Sequence, residues 1–92
     1  MHVTVEYAAQ IKRAVGLAVE TFECETPCTI KDVVHRVGER HGEAVRALLF
    51  DGDQKLHPSI LLFVGDSQAR FDDPRKLKDH DVLTILSPIS GG

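Results

Sequence analysis

Between Thr29 and Gly42 lies the one stretch of this 92-residue chain with the spacing of a long amphipathic helix. Ile30, Val33, Val34 and Val37 fall at i, i+3, i+4 and i+7, a single apolar stripe on a 3.6-residue repeat. Thr29 reads as the N-cap, and Asp32 three residues on completes a capping-box pattern. Gly42 follows His41 as the C′ residue, while Gly38 weakens the helix late in its course. The stripe needs an apolar surface to lie on, and the remaining apolar runs are short and strand-like. The chain is therefore expected to be a two-layer α+β fold.

Residues 2–8 alternate, with Val3, Val5 and Tyr7 on one side and His2, Thr4 and Glu6 on the other, the mark of a half-buried strand. Ala9–Val15 reads as a short helical turn stopped by Gly16. A second strand spans about 17–24, with Phe22 and Cys24 facing in and Glu23 and Glu25 facing out. Leu17 and Val19 sit on the opposite parity, which a β-bulge near Glu20–Thr21 would reconcile. Val45, Leu48, Leu49 and Phe50 form a helical turn running into an extended piece, and Asp51-Gly52 and His57-Pro58 bracket a turn region. Ile60–Val64 is an unbroken apolar run too short for an independent helix, hence a strand flanked on both sides. A short edge strand at Gln68–Phe71, a turn at Asp72-Asp73-Pro74, a polar loop anchored by Leu77 and a last strand at 82–87 complete the chain.

The order is β, β, α, β, short β, β, with the last strand in the middle of the sheet. That is a β-grasp arrangement: a mixed sheet of four or five strands, one main helix on one face and an extended C-terminal tail. Residues 1–92 form one domain, of a size that buries an adequate core.

Net charge is −3 with acids and bases interleaved, so nothing marks a nucleic-acid surface. No apolar run approaches membrane-spanning length. The N-terminus has neither a basic start nor a long apolar stretch, so no signal peptide is read and a cytoplasmic location is expected. Cys24 and Cys28 are spaced C-x3-C and the five histidines are scattered singly. Neither pattern supplies a metal-ligand set or a C-x-x-C redox pair. Cys24 reads as a small core residue and Cys28 as an incidental loop thiol.

The end of the chain has a different character. Pro88 has no N–H and ends ladder pairing. The tail, residues 87–92, closes with Ser90-Gly91-Gly92. Glycine lacks a Cβ, so the backbone is narrow and a terminal carbonyl there is unshielded. A carboxylate on such a tail can enter a narrow channel and be modified in it. Two terminal glycines arise by chance in roughly one chain in 200, so the pair gains weight only from the fold that carries it.

Taken with that fold, the residues resemble the ubiquitin-like sulfur carriers, especially the small subunit of molybdopterin synthase and the thiamine sulfur carrier. Tyr7-Ala8-Ala9-Gln10-Ile11 with Val15-Gly16 fits the family's first strand and turn, and Thr29-Ile30 its helix start. Phe63-Val64-Gly65-Asp66 stands where the family often has a strand followed by Asn-Gly. Leu77-Lys78-Asp79-His80-Asp81-Val82 fits the family's Leu-x-Asp-Gly-Asp approach to the last strand, and Pro88-Ile89-Ser90-Gly91-Gly92 fits the Pro-x-x-Gly-Gly end. Gly65 replaces the usual Asn, His80 the usual Gly, and Ser87 the first proline of a Pro-Pro pair. The stretch Glu43–His57 is longer than in the bacterial molybdopterin subunit.

The resemblance implies a carrier and not an enzyme. An E1-like partner would use ATP to adenylate the Gly92 carboxylate, and sulfur would replace the adenylate to give a thiocarboxylate. That sulfur would pass to a precursor in the molybdopterin synthase large subunit or in another sulfur-accepting enzyme. No side chain of this chain is assigned a catalytic role, and no cofactor is expected to be bound permanently. Gly91, Ser90, Ile89 and Pro88 form the tail that threads into partners. The resemblance also places Leu83 and Ile85 inward. Parity then puts Leu61 and Phe63 inward and Ile60, Leu62 and Val64 outward, so that Leu62, Val64, Thr84 and Leu86 make a partner-binding patch on the uncovered face. Two other readings share this fold: a protein modifier joined through Gly92 to target lysines, and a β-grasp binding module whose glycines do nothing. Sulfur for thiamine, cysteine or tRNA thiolation stands beside the molybdenum route.

Overall fold

The computed structural model describes residues 1–25, 27–52 and 54–88. Strand β1 (His2–Ala9) carries the alternation read above, with Val3 and Val5 wholly buried and Tyr7 nearly so. It turns through α1 (Gln10–Val15), which closes on Gly16 at φ 84°, a left-handed position where the absence of a Cβ removes the strain. Strand β2 (Val19–Glu23) returns antiparallel. Its register is unbroken, with His2 opposite Glu23, Thr4 opposite Thr21 and Glu6 opposite Val19. The expected bulge at Glu20–Thr21 is absent. Leu17 and Val19 need no reconciling with Phe22 because they point outward, 45% and 50% exposed.

Helix α2 (Ile30–His41) has the capping box: the Asp32 N–H donates to Thr29 Oγ1 at 3.3 Å and the Thr29 N–H donates to Asp32 Oδ2 at 3.0 Å. The bond from the Thr29 backbone is the main reason the Asp32 carboxyl lies below its ordinary range. Ile30, Val33, Val34 and Val37 are fully buried, each contributing roughly 1.5–3 kcal/mol over an exposed side chain. Helix α3 (Glu43–Leu49) follows Gly42 at once and adds Val45 and Leu49 to the same core. Gly38 does more than weaken α2. A Cβ there would stand 2.8 Å from Arg46 Cγ, so the glycine lets α3 pass close by.

Strands β3 (Phe50–Asp51) and β4 (Lys55–Leu56) form a separate hairpin. The main sheet is completed by β5 (Leu61–Val64), β6 (Ser67–Ala69) and β7 (Val82–Ser87), in the order β2-β1-β7-β5-β6. The β1–β7 pair is parallel and central, and the five-stranded mixed sheet with its helices is the expected β-grasp. Ser87 pairs with Ala9 and is buried, so it belongs to the strand and not to the tail.

The phase of β5 is opposite to the one expected. Leu62 lies across from Ile85 and Val64 across from Leu83, both partners wholly buried. Residues facing each other across a ladder share a side of the sheet. Ile60 and Leu62 are therefore core residues, 5% and 2% exposed, and Val64 packs against the core. Leu61 and Phe63 take the other face. An unbroken apolar run shows no alternation from which its own phase could be read.

The β2 edge is guarded from α2. Arg36 Nη1 donates to the Glu23 carbonyl at 2.7 Å and Arg40 Nη1 to the Thr21 carbonyl at 3.4 Å, and both guanidinium groups lie over the Phe22 ring. Carbonyls occupied in this way are poor templates for another strand.

Candidate functional site

The side of the sheet opposite the helices carries two rows built by the ladders. One runs from Leu61 through Leu86 to Ala8; the other runs from Phe63 through Thr84 and Glu6 to Val19. Leu61 is 37% and Val19 50% exposed, while Phe63, Thr84, Leu86 and Ala8 are half-buried. This is an apolar patch broken by one carboxylate, Glu6. Thr84 and Leu86 stand where parity placed them. Leu62 and Val64 do not join them, for the reason given above. Leu61, Phe63 and Val19 were missed. The signal for Val19 was its clash of parity with Phe22, which marks an outward residue as readily as a bulge.

The patch reaches the point from which the tail departs. Leu86 and Ser87 end β7, and Pro88 is exposed beyond them. Gln10, Leu48, Ser59, Ser87 and Pro88 border a groove of about 280 Å³ beside that exit. Ile89, Ser90, Gly91 and Gly92 lie outside the described residues.

Two clusters of titratable groups lie elsewhere. Glu20 joins three elements: the Tyr7 hydroxyl donates to its Oε1 at 2.5 Å, His41 Nε2 donates to the same oxygen at 2.6 Å, and Arg40 stands 3.6 Å from Oε2. Burial alone would raise the Glu20 carboxyl, but the bonds from Tyr7 and His41 and the charges of His41 and Arg40 outweigh it and hold it below its ordinary value. Burial and the adjacent carboxylate raise the Tyr7 hydroxyl. These groups satisfy one another and brace β1, β2 and the end of α2.

The second cluster is the cysteine pair. Cys28 is not a loose loop thiol; it is buried, as is Cys24. Burial, with the hydrogen bond and charge of Cys24, pushes the Cys28 thiol up to about 11. Cys24 Sγ also accepts from Arg36 Nη1 at 3.5 Å. Cys24 is bonded to Met1, at the start of β1, whereas the tail leaves beside Ala9 at its end. Eight residues of strand, roughly 25 Å, separate the thiols from the tail root. Among the described residues, no group of three His, Cys, Asp or Glu side chains is placed to hold a metal ion, and no helix is long and apolar enough to cross a membrane.

The family model of the ThiS family matches residues 5–92, from β1 through the glycine pair. The chain belongs to the ThiS family. Its fold is that of solved ubiquitin-like carriers and modifiers. SAMP1 from Haloferax volcanii superposes with a TM-score of 0.87 at 18% identity, over 100% of both chains. The putative molybdopterin converting factor subunit 1 from Pyrococcus furiosus gives 0.75 at 24% identity, over 97% of this chain and 99% of that one. A chain of the BexX/CysO complex from Amycolatopsis orientalis gives 0.67 at 28% identity, over 98% and 99%. A search of curated proteins gave no match. The ThiS-family chain is thus a member of the ubiquitin-like sulfur carrier and modifier group.

Proposed function

We propose that this ThiS-family protein is a sulfur carrier whose working group is the Gly92 carboxylate, with the folded body serving to present it. The observation that carries the reading is the match to the family over residues 5–92, glycine pair included. The geometry supports it: β7 runs through the centre of the sheet and ends beside an apolar face suited to a partner.

A carboxylate resists attack until one oxygen becomes a good leaving group. In the proposed cycle the Gly92 carboxylate attacks the α-phosphorus of ATP in an E1-like enzyme and expels pyrophosphate. A sulfur nucleophile then displaces AMP from the acyl carbon, leaving a thiocarboxylate. The partners supply the acid, base and metal chemistry. This chain supplies a tail without side chains at its last two positions and the docking face beside it, so it is not itself an enzyme. The acceptor we place first is the molybdopterin precursor, because the chain resembles the molybdopterin synthase small subunit, as it does the thiamine sulfur carrier, and has the fold of the putative molybdopterin converting factor subunit 1 from Pyrococcus furiosus. Thiamine, cysteine and tRNA thiolation use the same donor chemistry.

The test is incubation with a candidate activating enzyme, ATP and a sulfur source, followed by intact mass. Exchange of oxygen for sulfur adds about 16 Da to the acyl group. An unchanged mass with every E1-like enzyme of the host would end the proposal. A second reading, attachment to target lysines, has support in the likeness to SAMP1, the small archaeal modifier protein 1, from Methanosarcina acetivorans, at 25% identity over 99% of this chain. Gly-Gly remnants on lysines of cellular proteins would favour it.

A further inference from the structure

A cleft of about 640 Å³ opens on the helix side of the protein, away from the proposed docking face. Its floor is core: Ile60 and Leu62 are 5% and 2% exposed. Its walls come from α2, from the β3–β4 hairpin and from the segment after β6. The five-stranded sheet is complete without that hairpin, which packs Phe50 and Leu56 against the core and walls the cleft. Strand β5 divides the two surfaces, with Leu62 under the cleft and Leu61 on the open face.

The rim is cationic. Among the described residues, Lys31, Lys55 and Arg70 line it with one carboxylate, Asp72, in a chain whose formal charge is −3. Asp72 pairs with Arg70 at 3.2 Å. Among the described residues Lys31 and Lys55 make no ion pair. Aromatic surface lies beside these charges. Lys31 Nζ is 5.8 Å from the Phe71 ring centre, and His35 stacks on Phe50 with centroids 4.8 Å apart. Small-molecule sites are concave, roughly 300–1,000 Å³ in volume and apolar, with a few polar groups that fix orientation.

We propose that this cleft binds a small aromatic molecule bearing an anionic group, with its ring against Phe71 and Leu62 and its anion between Lys31 and Lys55. Positive charge beside an apolar floor discriminates against neutral aromatic compounds, which gain only the floor, and against inorganic anions, which gain only the rim. The opposite face stays open, so the ligand and a protein partner can be held together.

The probe is 8-anilinonaphthalene-1-sulfonate, titrated into the full chain and followed by amide and methyl NMR shifts. Uncharged N-phenyl-1-naphthylamine, inorganic sulfate and the peptide Glu-Glu-Phe-Glu-Glu are run beside it. The expected result is saturable binding with shifts at Lys31, His35, Leu56, Leu62 and Phe71 and none at Leu61 or Leu86. The neutral amine and sulfate should bind more weakly, and added salt should weaken the sulfonate. The K31E/K55E variant, with its thermal midpoint unchanged, should lose roughly tenfold in affinity. Shifts on the Leu61 face, equal affinity of the neutral amine, or unchanged affinity of the folded double variant would each overturn the proposal. So would tighter binding of the acidic peptide, which would assign the cleft to a protein segment instead.

Discussion

Leu61 stands directly across from Leu86 in the β5–β7 ladder, on the face of the sheet that the helices leave open. Its neighbour Leu62 points the other way and is 2% exposed. Adjacent leucines thus have separable roles. Leu61→Glu should cost about 1 kcal/mol or less, because the side chain lies on the open face and is 37% exposed. It should also slow thiocarboxylate formation by the activating enzyme, since a second carboxylate is then placed in the docking patch beside Leu86. Leu62→Ala should lower stability by roughly 2–5 kcal/mol through the cavity it leaves. Urea unfolding and a single-turnover activation assay on both variants check the pair. A destabilised Leu61→Glu together with a stable Leu62→Ala would show that the phase of β5 is reversed.

Glu20 bears on acid stability. Its carboxyl is held below its ordinary value of 4.5 in the folded protein. A group lowered in this way adds stability that is present above the unfolded value and is lost as pH falls through the folded one. Glu20→Gln removes the charge while keeping the shape. It should cost roughly 1.5–3 kcal/mol at pH 7, the range for hydrogen bonds to a charged group, and the gap to wild type should narrow progressively as pH falls below 4.5. Urea midpoints of the two proteins between pH 7 and pH 3 give the answer. A gap that is constant with pH would show that the carboxylate's charge is not what joins Tyr7 to His41.

The parts of this fold that the sequence announces are those where a local pattern and a tertiary contact agree. Val3, Val5 and Tyr7 alternate because one face of β1 is core, and Thr29 with Asp32 marks the start of α2 from side-chain chemistry alone. Where the pattern is silent, only the neighbouring strand decides. Ile60–Val64 is apolar at every position, and its phase comes from Leu83 and Ile85 across the ladder. Cys28 is buried, and its carbonyl accepts from the N–H of Leu77, distant in sequence. Thr84 and Leu86 of the candidate face followed from the alternation of β7. Leu61 and Phe63 did not, since nothing local distinguishes them from Leu62.

Cys28 gives a chemical check on that burial. Its thiol is pushed up to about 11, so at pH 8 only about one molecule in a thousand carries the reactive thiolate. Iodoacetamide should leave Cys28 of the native protein unmodified and label it readily in urea, as read by peptide mass. Stability follows the same shift. The folded value is raised above the ordinary thiol value of 9.0, so the contribution is fully present below about 9 and is lost as pH rises towards 11. Cys28→Ala should flatten that alkaline slope, and rapid native labelling at pH 8 would contradict the assignment.

His80 stands where the resembling sulfur carriers have glycine, and the backbone shows what the glycine is for. His80 has a φ of 68°, a left-handed conformation in which a Cβ crowds the carbonyl. Its N–H donates to the His2 carbonyl at 2.8 Å, so the turn leading into β7 holds the residue there. The imidazole is largely exposed and among the described residues pairs with Asp79 at 3.3 Å, an exposed interaction that contributes little. His80→Gly removes the strain, roughly 1–2 kcal/mol, against the roughly 0.5–1 kcal/mol of extra chain entropy that a glycine loses on folding. The variant should therefore be more stable than wild type by about 0.5–1 kcal/mol, a rise of roughly 2–8 °C in thermal midpoint for a domain of this size. His80→Ala keeps the Cβ and loses only the ring, so it should show no such gain. Thermal unfolding of the three proteins separates relief of backbone strain from loss of the Asp79 contact, and equal midpoints for the alanine and glycine variants would rule the strain out.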